Sequence, residues 1–540
     1  MRQGFLSGFA WWASAALALP LFIAPAPAQA QNVLPFDQAR AAARDDRNRE
    51  AAELFAKALQ AEPSLRHLIL RELADQLTFS DRAAQAVPFY REVLSWNEIS
   101  EDERWRAKRG LALALAWSGQ HAAAVKAYTE LLERDRNDRD ARLNRARVQG
   151  WRHHYAEAEA DFRLLLAKDS KDADALRGLS EVQSLAGHQR EAIKTLEPIA
   201  SSGADARTLF LLSRAQQWSG RADLAGPTLA RSIALAPSNR DALSLQTEIR
   251  LSRRPSAQAG GRYSDQSDHT QIRGFTAIQD FYPSSILETA GFQYDLERYS
   301  SSKGPNVTVQ RAGVHGQLEL SKSFSIRGEG GLAIQHAAGN HDEYPIFNVY
   351  GTLIPSDFLR FDFGAARQGF DNVRSMFLHI RSTDYGASVD IGSDSDWKAS
   401  FRTNYSRVSD GNSRIWGQIE VRRRLGWSPN SFAGIRATRF SFDELLDHGY
   451  FNPKSLRSVE AFTQVWGKLG NGWFDLHGAV GAEDQNPGKT RLVYSAEAKV
   501  THPLGNGLEI EGFVNSFTAH HDATGGFSRK TVGLALRRRW

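Results

Sequence analysis

The sequence predicts an α + β multidomain chain. An N-terminal α-solenoid of tetratricopeptide repeats leads into a C-terminal antiparallel transmembrane β-barrel of about 16 strands. Two rhythms carry the prediction: a helical pattern that recurs every 33 or 34 residues in the first half, and an apolar/polar alternation of period two in the second. Bulk composition removes the main competitors. Sixty-seven Lys and Arg against 62 Asp and Glu leave a net charge of only +5 over 540 residues. That is no basic stripe for a nucleic acid. The absence of cysteine excludes a disulfide framework, a Cys-ligated zinc or iron–sulfur site and a thiol nucleophile. A mean hydropathy of −0.45 excludes a polytopic helical membrane protein, but not a barrel in which alternate residues face lipid.

Residues 1–30 read as a cleaved secretory leader. Arg2 precedes an apolar stretch from Phe5 to Ile23, and Ala28 and Ala30 form a small-x-small ending after Pro25 and Pro27. The mature chain is then expected outside the cytoplasm.

Residues 31–250 carry the repeats. Asp138, Asp172, Asp205 and Asn239 recur at intervals of 34, 33 and 34, Tyr128 recurs as Phe162, and Gly187 as Gly220. This period belongs to a pair of antiparallel helices, and about six such pairs fit the span. Leu111, Ala112, Leu115 and Ala116 stripe the first helix of one pair, and Ala124, Ala127, Tyr128 and Leu131 the second. The recurring Asp/Asn closes one unit and is expected to cap the next. No unit buries its apolar face alone, so the units stack into a solenoid with a concave groove.

After a linker at 251–257 the texture changes, and residues 258–540 read as strands. Phe324, Ile326, Leu332 and Ile334 oppose Arg327, Glu329 and Gln335. Ile415, Ile419 and Val421 oppose Trp416, Glu420 and Arg422, and Leu476 and Val480 oppose Asp475. Leu508, Ile510 and Val514 oppose Glu509 and Glu511. A half-exposed sandwich shows the same alternation. Long strands, and short Gly/Asn turns alternating with longer connections such as Asp443–Lys454, favour the barrel. So does the last strand, with Val532, Leu534, Leu536 and the terminal Trp540 on one face. The charged face, lined by Arg327, Glu329, Trp416, Glu420, Arg422, Asp475, Glu509 and Glu511, is the expected lumen. Mixed charge with an interleaved aromatic suits a hydroxyl-rich chain better than a simple ion filter. Pairing of those charges along the wall is the ordinary alternative for each.

A helical-repeat domain ahead of an outer-membrane barrel resembles the exopolysaccharide export porins that serve poly-N-acetylglucosamine and bacterial cellulose secretion. Gly449, Tyr450, Phe451, Asn452 and Pro453, with Trp466 beyond, are similar to a segment that leads into a late barrel strand of that family, although Leu456 stands where another aromatic is expected. Tyr450 and Phe451 are expected at the interfacial aromatic girdle. Trp540 resembles the C-terminal signal read by the barrel-assembly machinery. The resemblance implies an outer-membrane porin that exports a polysaccharide, with its N-terminal domain in the periplasm docking a partner protein. It implies neither a cofactor nor a catalytic role. A plugged surface receptor, like the phage-adsorption proteins, and a soluble secreted glycan-binding protein remain as alternatives.

No catalytic or metal motif stands out. His153-His154 and His520-His521 lack helical metal-site spacing. His336, His341, Asp342 and Glu343 are expected in a solvated loop, and Ser393-Asp394-Ser395-Asp396 lacks the rest of a calcium loop.

Overall fold

The computed structural model describes residues 35–540 except 62, 202, 268, 303, 487, 489 and 520–526. The leader and the His520-His521 pair therefore lie outside the described residues. The chain divides into two compact units, one ending at Arg136 and the other beginning at Asn137.

The first unit holds α1 (Pro35–Arg44), α2 (Asn48–Ala61), α3 (Arg66–Phe79), α4 (Ala83–Ser95), α5 (Glu101–Trp117) and α6 (His121–Arg134). Adjacent helices pack as hairpins through small-against-large contacts. The Tyr90 ring of α4 lies where a side chain at Gly110 of α5 would project, only 2.4 Å from its β-carbon position. Ser100 caps α5, its side chain accepting from the Glu103 N–H.

The second unit opens with α7 (Arg139–Trp151), α8 (Tyr155–Lys168), α9 (Ala173–Leu185), α10 (Gln189–Ser201), α11 (Ala206–Trp218), α12 (Ala222–Leu235) and α13 (Arg240–Ser252). Asp138, Asp172, Asp205 and Asn239 are the N-caps of α7, α9, α11 and α13, each accepting from a backbone N–H two or three residues on. Each such cap is worth about 1 kcal/mol, which explains why the interval between them is kept. Phe162 of α8 fills the space beside Gly178 of α9, as Tyr90 does beside Gly110.

Sixteen strands follow: β1 (Ser256–Gln266), β2 (Thr270–Phe281), β3 (Leu287–Ser301), β4 (Gly304–Ser321), β5 (Phe324–Ala337), β6 (Asn340–Ser356), β7 (Leu359–Gly369), β8 (Arg381–Gly392), β9 (Trp397–Val408), β10 (Ser413–Trp427), β11 (Asn430–Phe442), β12 (Ser455–Leu469), β13 (Gly472–Asn486), β14 (Arg491–Gly505), β15 (Leu508–Ala519) and β16 (Phe527–Arg539). A short helix, α14 (Val373–Phe377), lies between β7 and β8. Every neighbouring pair is antiparallel, and β1 pairs with β16 from Ser256↔Arg539 to Gln266↔Arg529. The barrel is closed and has no free edge. A 14-residue strand such as β5, tilted near 40°, rises about 36 Å, more than the roughly 25 Å apolar band of such barrels.

The period-two faces fall as the alternation requires. Ile415 is 60 %, Ile435 61 % and Leu492 72 % exposed, while Arg436 and Arg491, beside the last two on the opposite face, pair with Glu460 and Glu483. Large apolar side chains left exposed all round a closed wall form a lipid-facing surface. Val532, Leu534, Leu536 and Trp540 belong to it.

The termini of the barrel define its near end, and the helices of the second unit are fastened there. The Asp357 carboxylate, in the β6–β7 turn, accepts from the backbone N–H of Arg190 (2.9 Å) and of Glu191 (3.3 Å), so a barrel turn caps α10. Burial holds the Asp357 carboxyl above its usual range, and the two N–H groups oppose that shift. The Arg190 guanidinium donates to Ser323 Oγ and the Lys322 carbonyl, and Ser393 Oγ donates to the Ala186 carbonyl. His188 packs on Phe358, and His153 stacks on Trp427 with ring centroids 4.3 Å apart. The turns between paired helices at residues 152–154 and 186–188 thus rest on successive barrel turns. Asp357→Ala removes the cap at a cost of about 1 kcal/mol. Amide hydrogen exchange at the start of α10 should quicken by about fivefold, with exchange in β6 and β7 unchanged.

Candidate functional site: the barrel lumen and its two ends

The inner wall is charged and cross-linked. Glu297 receives Arg262 and, at 2.7 Å each, Arg311 and the Tyr299 hydroxyl. Around the wall follow Asp280 with His315 (2.8 Å), Asp362 with Arg360 (2.8 Å), Asp390 with Lys398 (3.0 Å), Glu460 with Arg436 (2.6 Å) and Glu483 with Arg491 (3.0 Å). Each joins neighbouring inner-face positions. The wall therefore carries dense charge with little net field.

The eight residues expected in the lumen all stand on this inner face. Glu420 lies 3.8 Å from Arg402, Arg422 2.6 Å from Asp394, Glu509 2.6 Å from Arg539 and Glu511 2.9 Å from Lys499. Asp475 lies 3.2 Å from His477, Arg327 donates to Gln317, and Glu329 sits one position along the same face. Trp416 is different: it packs, half-buried, against an apolar cluster at the far end.

That cluster belongs to a plug. The connections 370–380 and 443–454 fold into the far mouth and not away from it. Val373 and Met376 of α14 pack on Ile272, Tyr299, Val307, Val309 and Ala337, all on inner-face positions of β2 to β5. Gln335 donates to the Met376 carbonyl at 2.7 Å. On the other side Tyr450 and Phe451 pack with Ile380, Val408, Phe440, Phe442 and Leu456. Tyr450 stacks on Phe370 at 4.7 Å, and its hydroxyl donates to Asp410 at 2.8 Å. Burial raises the Tyr450 phenol above its ordinary pKa. The two loops interlock. Asn372 caps α14, Ser375 Oγ donates to the His448 carbonyl (2.9 Å), and Arg374 pairs with Asp447 (2.8 Å).

The sequence places Tyr450 and Phe451 in the interfacial girdle, and the structure corrects this. Both are buried inside the mouth, because the inner face there is apolar and offers them a dry partner. Leu456, in the place of an expected aromatic, is fully buried in that contact. Asn452 turns inward with them, donating to the Leu446 carbonyl, and Pro453 accepts from the Phe442 N–H. Trp466 lies towards the near end, stacked on Phe432 at 5.1 Å, with the Arg424 guanidinium 3.8 Å from the Trp427 ring and 4.5 Å from that of Phe432. His336, His341, Asp342 and Glu343 also differ from expectation. They lie on the paired ends of β5 and β6 beside the hairpin turn, where Asp342 pairs with His379 and Arg381. Among the described residues no group of three or more His, Asp or Glu is placed to hold a metal ion.

Sequence reasoning misses α14, the inward course of both loops, and Trp473 on the inner wall. A signal is present for the plug: Ile272, Val307, Val309, Val408, Phe440 and Leu456 put apolar groups on the inner face near one end of their strands.

No known protein-family pattern matches the sequence, and no curated protein matches it. Among solved structures, one described as a bacterial polysaccharide outer membrane secretin is 16% identical, covering 53% of this chain and 99% of its own, with a TM-score of 0.44. A tetratricopeptide repeat protein from Parabacteroides merdae is 15% identical over 40% of this chain and 97% of its own, TM-score 0.28. PilW, a type IV pilus biogenesis factor, is 19% identical over 39% and 96%, TM-score 0.33.

Gly449 tests the plug. It has φ +89°, and a β-carbon there would lie 2.4 Å from Asn372 Oδ1 and 3.0 Å from the Ser375 N. Gly449→Val should part the two loops and raise the open time of the purified barrel in a planar lipid bilayer at least tenfold. Unchanged closure would mean that the loops do not seal the mouth.

Proposed function

We propose that the chain is an outer-membrane porin for export of an exopolysaccharide, acting as a conduit and not as a catalyst. Its helical repeats face the periplasm and dock a partner protein, and the near end of the barrel takes up the polymer. The far end opens to the outside and is held shut at rest by the two interlocked loops. The observation that carries this reading is a wall with lipid-facing aliphatics outside and paired charges inside, in a barrel of a size that ordinarily encloses water.

The mixed inner charge supports a hydroxylated polymer over a small ion. Each buried cation–anion pair leaves further lone pairs and N–H groups to trade with sugar hydroxyls, at little net electrostatic cost. Transport then needs no energy coupling in the barrel, because a chain extruded from below displaces the loops. Burying a side chain such as Val373, Met376, Tyr450 or Phe451 is worth about 1.5–3 kcal/mol. Together they hold the closed form until polymer or partner offsets them.

A plugged surface receptor is the second reading, favoured by the plug itself. The two separate in cells. Deleting the gene should trap polymer in the periplasm, and a chain lacking 443–454 should conduct ions and still secrete. Normal secretion in the deletion strain, with a barrel that stays sealed without its loops, would instead support the receptor.

A further inference from the structure

We propose that the inner wall around Trp473, at the near end of the barrel, is a subsite for a neutral pyranose unit of the exported chain; this rests on the export reading and names where the polymer is first held. Trp473 is the second residue of β13, and it lies on the inner face. In register it stands opposite Lys468 of β12 and Thr501 of β14, and two and four positions further along its own strand come Asp475 and His477. The lipid-facing positions of the same strand are Phe474, Leu476 and Val480, so Trp473 is not a girdle anchor. The residue is 49 % exposed, whereas Phe432 and Trp466 are packed together beneath Arg424.

The chemistry beside the ring is that of a sugar site. Inner-face positions on one strand are about 7 Å apart, close to the width of one pyranose ring. A sugar laid on the indole face would therefore bring its edge hydroxyls to the next row. There Asp475 offers carboxylate oxygens, already approached by Gln464 Nε2 at 3.3 Å and His477 Nε2 at 3.2 Å. Lys499, opposite Asp475, reaches Glu511 at 2.9 Å, and its side chain is 43 % exposed. Lys468 Nζ stands 5.8 Å from the Trp473 ring centroid, at the side of the platform. Donors and acceptors alternate, and no row is of one sign. An apolar face with balanced polar groups at one ring's distance suits a neutral sugar. It would reject a polyanion, which requires an excess of cations.

Titration calorimetry of the detergent-purified full chain tests this, with cellohexaose as the neutral probe and hexagalacturonate as the anionic one. Cellohexaose should bind, Trp473→Ala should weaken it at least tenfold, and Trp473→Phe should keep it within threefold. Heat-modifiable gel mobility of each variant checks that its barrel is folded. Equal binding by wild type and Trp473→Ala would overturn the subsite, as would binding of hexagalacturonate alone. If the barrel secretes polymer while Trp473→Ala binds cellohexaose normally, the subsite falls and the export reading stands. If cellohexaose binds through Trp473 in a barrel that never conducts, the subsite stands and the export reading falls.

Discussion

The structure depends on a wall with two chemistries, one on each side of the same strands. Along β13, Leu476 and Val480 alternate with Asp475 and His477, so one rotation of the strand decides what faces lipid and what faces water. Because a slip of one residue would put charge into lipid around the entire circumference, the register is strongly specified. The β1–β16 pairing completes the circle and leaves no edge N–H or C=O for another chain to pair with.

Two local features give the barrel its polarity of ends. At the far end the inner face turns apolar, and loops 370–380 and 443–454 come inward to cover it. At the near end the helices are tied down by hydrogen bonds and stacked rings, with Asp357 serving as the cap of a helix outside the barrel. Between the ends the ion pairs satisfy one another, which stiffens the wall without giving it a dominant sign.

Much of this is legible in the amino-acid order alone. The intervals between Asp138, Asp172, Asp205 and Asn239 mark helix caps because capping is a local, side-chain-to-backbone interaction. The placing of Arg327, Glu329, Glu420 and Glu511 on one face follows from period two. What stays hidden depends on contacts distant along the chain. The segment Asp443–Lys454 is polar enough to read as a solvated connection, and only the apolar groups of β9, β11 and β12 make Tyr450 and Phe451 turn inward. Five residues of α14 are too few to show a helical period. Trp473 is the second residue of its strand, next to a turn, where the alternation is too short to reveal its face.

Site-directed spin labelling tests the two-faced wall most directly, and a chain without native cysteine suits it. Single cysteines placed along residues 474–480 of the full chain in lipid nanodiscs should alternate. Labels at even positions should be relaxed by oxygen from the lipid, and labels at odd positions by a water-soluble nickel complex. Uniform access of the nickel complex to both sets would contradict a membrane wall, and with it the conduit.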